Sequence, residues 1–340
     1  MDETCGNVLS NGAMNKIKFK FLDIPIIRSC NLSCGGCLTF SDNKKIKGLV
    51  DVEESRAWMQ YWSQRLDPEI ITVFGGEPLL HPNFVEWYKL IREYWPAITP
   101  RVNTNGYYLD RLFDRVEDFF TEELTPRLII SIQTETEPYL SLVKQHIATL
   151  KQRIVEHYAK KYPEQEVKWT IWLDEPELNK QWWRLDVGNR SIPMWITVTE
   201  QFNAHWQAHY QGSGETLLPY YDYNDQYSAS NHRLCQSAPF VNLYQGRIYK
   251  CPTIAVLEHT LTTHGIQDQP EWHDYLHKYQ SLDMNSTDEE IAAWFTTQPT
   301  PQNVCNMCGF TGPNSSGGHI NRHELKTGWK IKPVTIVPGA

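Results

Sequence analysis

Ile17, Phe19 and Phe21 alternate with Lys18 and Lys20, the period-two signature of a strand with one buried face, and Ile24-Pro-Ile-Ile27 reads as a buried strand directly after it. The spacing then becomes helical. Val52, Met59, Trp62 and Leu66 share one helix face, with Asp51 placed to cap it. Glu69-Ile-Ile-Thr-Val-Phe74 is a largely apolar run, the pattern of a parallel strand covered on both faces. Phe84, Trp87, Tyr88, Ile91 and Trp95 predict a helix, residues 101–104 a short strand, and Leu109, Leu112, Phe113, Val116 and Phe120 another helix. Residues 128–133 predict a strand, Leu140, Val143, Ile147, Leu150 and Ile154 a longer helix, and residues 167–173 and 192–199 two further strands.

Repeated βα units of this kind predict an α/β fold with a parallel sheet or barrel, whose functional loops sit at the carboxyl ends of the strands. Four polar segments fall at such ends and should face one another: a cysteine loop after residue 27, Gly75-Gly-Glu-Pro78, Asn103-Thr-Asn-Gly106 and Ser131-Ile-Gln133. From about residue 207 the pattern changes. Residues 212–231, rich in Gly, Ser, Asp, Asn and Tyr, read as a connection between two units. Beyond it come a hairpin turning at Gln245-Gly246 and short helices, one capped near Ser286 or Thr287 with Glu289 and Glu290 in its first turn. The expected organisation is a flexible segment over 1–15, a barrel over 16–206, a smaller α+β unit over 207–327 and a tail over 328–340.

Composition narrows the partners. The chain of 340 residues carries a formal net charge of -8, so the basic footprint of a nucleic-acid binder is absent. The basic runs at 16–20 and 44–47 are short and read as a strand's solvent face and a solvated loop. The first fifteen residues lack an apolar signal-peptide core and no run approaches a membrane span, so a cytoplasmic protein is expected. In that reducing compartment eight cysteines point to metal or catalysis before disulfides.

Three of them form Cys30-Asn-Leu-Ser-Cys34-Gly-Gly-Cys37. A zinc or iron–sulfur site takes four ligands, and Leu38 to Ser41 supply neither thiol nor imidazole. A three-thiolate site with a vacant position is an open, catalytic arrangement. The plain alternative is a structural zinc site completed by a distant residue such as His81.

The order of Cys30-x3-Cys34-x2-Cys37, Gly75-Gly-Glu-Pro78 and Asn103-Thr-Asn-Gly106 at successive strand ends resembles the radical S-adenosylmethionine (SAM) enzymes over residues 20–205. That resemblance implies a partial (β/α)6 barrel and a [4Fe-4S] cluster on Cys30, Cys34 and Cys37 with SAM on its open iron. It implies that Gly75, Gly76, Glu77 and Pro78 meet the methionine amino group, that Ser131 and Gln133 lie near the ribose, and that Asn103 and Asn105 belong to the cofactor site. SAM would be cleaved to a 5′-deoxyadenosyl radical that abstracts hydrogen. An external electron donor such as flavodoxin or ferredoxin is implied as well. The chain departs from the family at Gly36, where many members have an aromatic residue; Phe40 is the candidate substitute.

Cys235, Gly246, Cys251 and Cys305-Asn-Met-Cys308 resemble a twitch domain, the shorter relative of the SPASM extension, and imply a second, fully ligated [4Fe-4S] cluster. A structural zinc site of four cysteines shares that spacing. With seven cysteines assigned, only Cys5 remains as a hydrogen donor. The expected reaction is therefore a net oxidation of a small polar or sugar-like molecule, with a base such as Asp174, Glu175, Glu200 or His205. Peptide modification is the alternative, and a non-catalytic iron–sulfur or zinc scaffold the alternative of another class. Trp172, Trp182, Trp183, Trp195 and Trp206 read as core or interface residues before ligand contacts.

Overall fold

The computed structural model describes residues 16–34, 37–43, 45–200 and 209–309, and the backbone alone of the short strand near 324. Cys5, Gly35, Gly36, His205, Trp206, the boundary at 206–207 and the expected tail lie outside the described residues.

The elements alternate as the sequence pattern requires: β1 (Ile17–Ile27), β2 (Leu32–Cys34), α1 (Val52–Ser63), β3 (Leu66–Gly75), α2 (Phe84–Tyr94), β4 (Arg101–Thr104), α3 (Val116–Phe119), β5 (Arg127–Ile132) and α4 (Tyr139–Lys161). They continue with β6 (Val167–Glu175), β7 (Lys180–Val187), β8 (Arg190–Glu200), α5 (Ser228–Leu234), β9 (Phe240–Tyr244), β10 (Arg247–Tyr249), α6 (Pro252–Ala255), α7 (Leu257–His264), α8 (Pro270–His277), α9 (Asp288–Thr297) and β11 (His323–Leu325).

One nine-stranded sheet runs β10-β9-β1-β3-β4-β5-β8-β7-β6. The stretch from β9 to β8 is parallel throughout. This is the parallel α/β architecture of a partial barrel, with two departures from simple βα repetition. After α4 the chain makes an antiparallel meander, so residues 167–173 form an outer edge strand paired with β7 and not a further parallel strand. The expected downstream hairpin is present as β9 and β10, but β9 pairs with β1 and extends the same sheet across the expected boundary.

Local chemistry explains the ends. Asp51 accepts from the backbone N–H groups of Glu53 and Glu54 at 2.8 and 3.0 Å, the expected cap of α1. Thr287 and Glu290 form a reciprocal capping box on α9. The helix expected over 109–120 is a 3-10 stretch over Leu109–Arg115 followed by α3.

The sheet has two chemically distinct faces. Leu22, Ile24, Val73, Val102, Leu128, Ile130, Met194 and Ile196 are buried in one continuous core with helix residues such as Trp62, Trp87, Val143 and Ile154. Trp62 and Trp87 sit fully buried because their indole N–H groups donate to the carbonyls of Gly246 and Val50. The alternate residues, including Thr72, Arg101, Asn103, Arg127, Ser131, Trp195 and Thr199, lie on the opposite, more polar face. No helix among the described residues is long and apolar enough to cross a membrane.

Candidate active site

The cysteine loop is sewn to the end of β3 by backbone. Gly76 N–H donates to Ile27 O at 2.8 Å, and Glu77 N–H to Ser29 O at 2.9 Å. The two chains approach so closely that a Cβ on Gly75 would lie 2.2 Å from Ile27 O and one on Gly76 2.1 Å from Ser29 O. Only glycine fits there.

Glu77 connects this junction to the next strand. Its carboxylate accepts from Leu79 N at 3.0 Å, Thr104 Oγ1 at 2.6 Å and Asn105 N at 2.8 Å. The residue is fully buried, and burial pushes its carboxyl up to about 7 against the opposing effect of those donors. The carboxylate is thus bonded within the protein, where Glu77 anchors the end of β3 to the end of β4. Pro78 begins the buried 3-10 turn that Glu77 caps.

Asn105 carries the connection back. Its side-chain amide donates to Asn31 Oδ1 at 2.8 Å and approaches Cys30 Sγ at 3.8 Å. Tyr139 at the start of α4 donates its hydroxyl to Asn105 O at 2.7 Å and accepts from Gln133 N at 3.2 Å. Cys37 lies 3.4 Å from Thr39 Oγ1, which in turn donates to Gly75 O at 3.3 Å. The four segments expected to face one another are thereby joined. Tyr139, Thr104, Thr39 and Asn31 escaped the sequence reading because nothing in their local pattern marks a partner 27 to 74 positions away.

Asn103 is exposed and Ser131 half-buried on the polar face, both free of the packing that holds Asn105. His81 is no fourth ligand: its Nε2 bonds Val50 O at 3.0 Å and its Nδ1 accepts from Asn83 N at 3.1 Å. Phe40 does not supply an adenine platform, because its buried ring stacks on Tyr210 at 4.7 Å.

The second cysteine set converges elsewhere. Cys235, Cys251, Cys305 and Cys308 line one pocket together with Asn231, His232 and Lys250. Burial raises all four thiols, Cys251 up to about 12 and Cys308 well above its ordinary range, and neighbouring thiols add to the rise at Cys235, Cys251 and Cys308. Such a group stays protonated unless a cation neutralises it. Asn231 holds the Cys305–Cys308 turn by donating to both of its carbonyls, at 3.0 and 2.7 Å.

Residues 24–173 match the family model of the radical SAM superfamily. The chain carries a radical SAM domain. Family members use a [4Fe-4S] cluster and SAM, and the open three-cysteine loop lies inside the matched segment. Two GTP 3′,8-cyclases of Klebsiella pneumoniae are 35% and 36% identical to this chain over 105 and 107 residues. The match takes in 30% of this chain and 31% of each cyclase, so the chain spans about a third of the length of these relatives. Among solved structures, BtrN in complex with AdoMet and 2-DOIA is 12% identical, with 92% of this chain and 100% of that one covered at a TM-score of 0.43. The anSMEcpe enzyme with bound AdoMet and Cp18Cys peptide is 20% identical, with 40% and 41% covered at a TM-score of 0.32.

Two of the expected bases, Glu175 and Glu200, are held in ion pairs. Glu175 accepts from Trp182 Nε1 at 2.8 Å and pairs with Lys180, and Glu200 pairs with Lys144 at 3.3 Å. Asp174 is exposed beside them. The tryptophans divide. Trp172, Trp182 and Trp195 cluster with ring centroids 5.8 to 6.2 Å apart, Trp172 being 44% exposed, whereas Trp183 lies under the Lys151 ammonium on the helix side. Trp182 and Trp195 are half-buried, so the first three lie at the surface of the sheet and outside the core.

Proposed function

We propose that this chain is a radical SAM enzyme of the twitch type that oxidises a small polar or sugar-like substrate by two electrons. The observation that carries the reading is the pairing of two thiol sets of different character. Cys30, Cys34 and Cys37 form an open loop at the strand ends, whereas Cys235, Cys251, Cys305 and Cys308 share one buried pocket.

Cys30, Cys34 and Cys37 would hold a cluster that, with SAM, would supply radical hydrogen abstraction, and Cys235, Cys251, Cys305 and Cys308 would hold a second cluster able to accept the substrate's remaining electron as a base takes the proton. The protein's own part is positional. The backbone of Gly75 and Gly76 offers carbonyls to an amino group, and Asn103, Ser131 and Gln133 offer polar atoms at the strand ends. With the Glu77 carboxylate used internally, the amino group falls to the backbone.

The test is anaerobic reconstitution. The protein should bind about eight irons and, reduced by dithionite, cleave SAM to 5′-deoxyadenosine. The product should have lost two hydrogens. An unchanged mass would replace oxidation by epimerisation, and intact clusters without SAM cleavage in the presence of candidate substrates would leave a scaffold.

A further inference from the structure

One row of the sheet's polar face is chemically unlike the rest. Hydrogen-bonding register places Asn242, Asp23, Thr72, Arg101, Arg127 and Trp195 side by side across six neighbouring strands. Arg101 and Arg127 are register partners, so two guanidinium side chains leave the same face of adjacent strands. Both are half-buried, and the Nε of each is buried without a hydrogen-bond partner among the described residues. Asn242 is fully buried with neither amide atom partnered, and Trp195 Nε1 is buried and unpartnered too.

The row is rich in donors and poor in acceptors. Asp23 is its one carboxylate; it attracts Arg101, but burial pushes that carboxyl up to about 7, which weakens it as a counter-charge. Adjacent half-buried cations cost free energy unless something negative compensates them. The Arg127 guanidinium carbon lies over the Trp195 ring, 4.0 Å from its centroid, a contact that limits where the guanidinium can move. A guanidinium restrained by a neighbouring ring and set beside a second guanidinium can grip an oxyanion with paired hydrogen bonds.

We propose that Arg101 and Arg127 seat a phosphate or carboxylate group of the substrate, with Trp195 as the wall beside it. The bound molecule counts as substrate because the proposed reaction occurs at the carboxyl ends of these same strands. Arg127 and Ser131 are four residues apart on one face, about 13 Å along the strand. A small molecule anchored at Arg127 by its anionic end therefore reaches the strand ends with its other end. The Trp172–Trp182–Trp195 cluster continues from Arg127 toward the sheet edge and offers apolar surface for the body of such a molecule.

Inorganic phosphate, with acetate in parallel, is titrated into the reconstituted full-length protein while tryptophan fluorescence and heat are followed. Saturable binding is expected, weakened at least tenfold by Arg101→Gln and by Arg127→Gln and partly kept by Arg127→Lys. The stronger of the two anions identifies the group. In the unmodified protein, phosphate should also protect Arg101 and Arg127 from phenylglyoxal, read by peptide mass, so the test survives a variant that fails to fold. Absence of saturable binding by either anion, or binding unchanged in Gln variants with normal circular dichroism and iron content, overturns the proposal. Neither measurement needs turnover, so loss of the anion seat and loss of SAM cleavage are read separately.

Discussion

Asn105 holds Asn31 by a 2.8 Å hydrogen bond, and through it the third strand end holds the cysteine loop. Asn31 is fully buried, so its amide oxygen has no solvent to fall back on. Replacing Asn105 by Ala should cost about 1–3 kcal/mol. It should also speed the loss of iron–sulfur absorbance under chelator, since Cys30 loses its neighbour. An unchanged rate of loss would show that the loop keeps its shape without Asn105.

Gly76→Ala should be far more damaging than a methyl group suggests. The added carbon meets the carbonyl of Ser29, a backbone atom that cannot swing aside. A loss above about 3 kcal/mol is expected, or iron binding that fails at the first site while the second remains loaded. Urea midpoints and iron content together check this.

Phe40 sits at a positive φ of 53° and buries its ring against Tyr210. Phe40→Ala should lose about 3–5 kcal/mol by leaving a cavity behind the cysteine loop. Phe40→Tyr, which keeps the ring, should retain most of the stability. Thermal unfolding separates the two.

Cys251→Ser and Cys308→Ser should each lower iron content by about four while leaving SAM cleavage measurable, because the open loop belongs to a different set of strands. Product formation, in contrast, should fall. Loss of all iron in either variant would mean that the two thiol sets do not assemble independently.

Asp23 makes stability depend on pH. Its folded carboxyl, raised to about 7 chiefly by burial, keeps its proton to higher pH than the unfolded one at about 4. Between those values the folded state binds more protons, so the contribution is full below about pH 4 and is lost as pH rises through about 7. Denaturant midpoints should fall between about pH 4 and pH 7, and Asp23→Asn should make that slope shallower. Glu77, raised in the same direction, should preserve part of it.

The alternation of βα units, the cap at Asp51, the capping box at Thr287 and Glu290 and the three strand-end motifs were all legible locally. Each depends on residues within a few positions of one another, where periodicity and cysteine spacing carry the information. Lys180–Val187 was not legible as a strand, nor residues 167–173 as an edge strand, because the choice between parallel and antiparallel pairing rests on partners that the local pattern does not name.

What the sequence by itself determined is the set of chemical groups and their order: two groups of thiols, a glycine pair able to touch another backbone, and strands that end in polar loops. Tertiary structure alone decided which face each side chain occupies. It turned Glu77 inward as an anchor, made Tyr139 a bridge, and brought Arg101 beside Arg127 on neighbouring strands. Register between strands is set by distant packing, and a shift of one residue would turn each of these side chains to the other face.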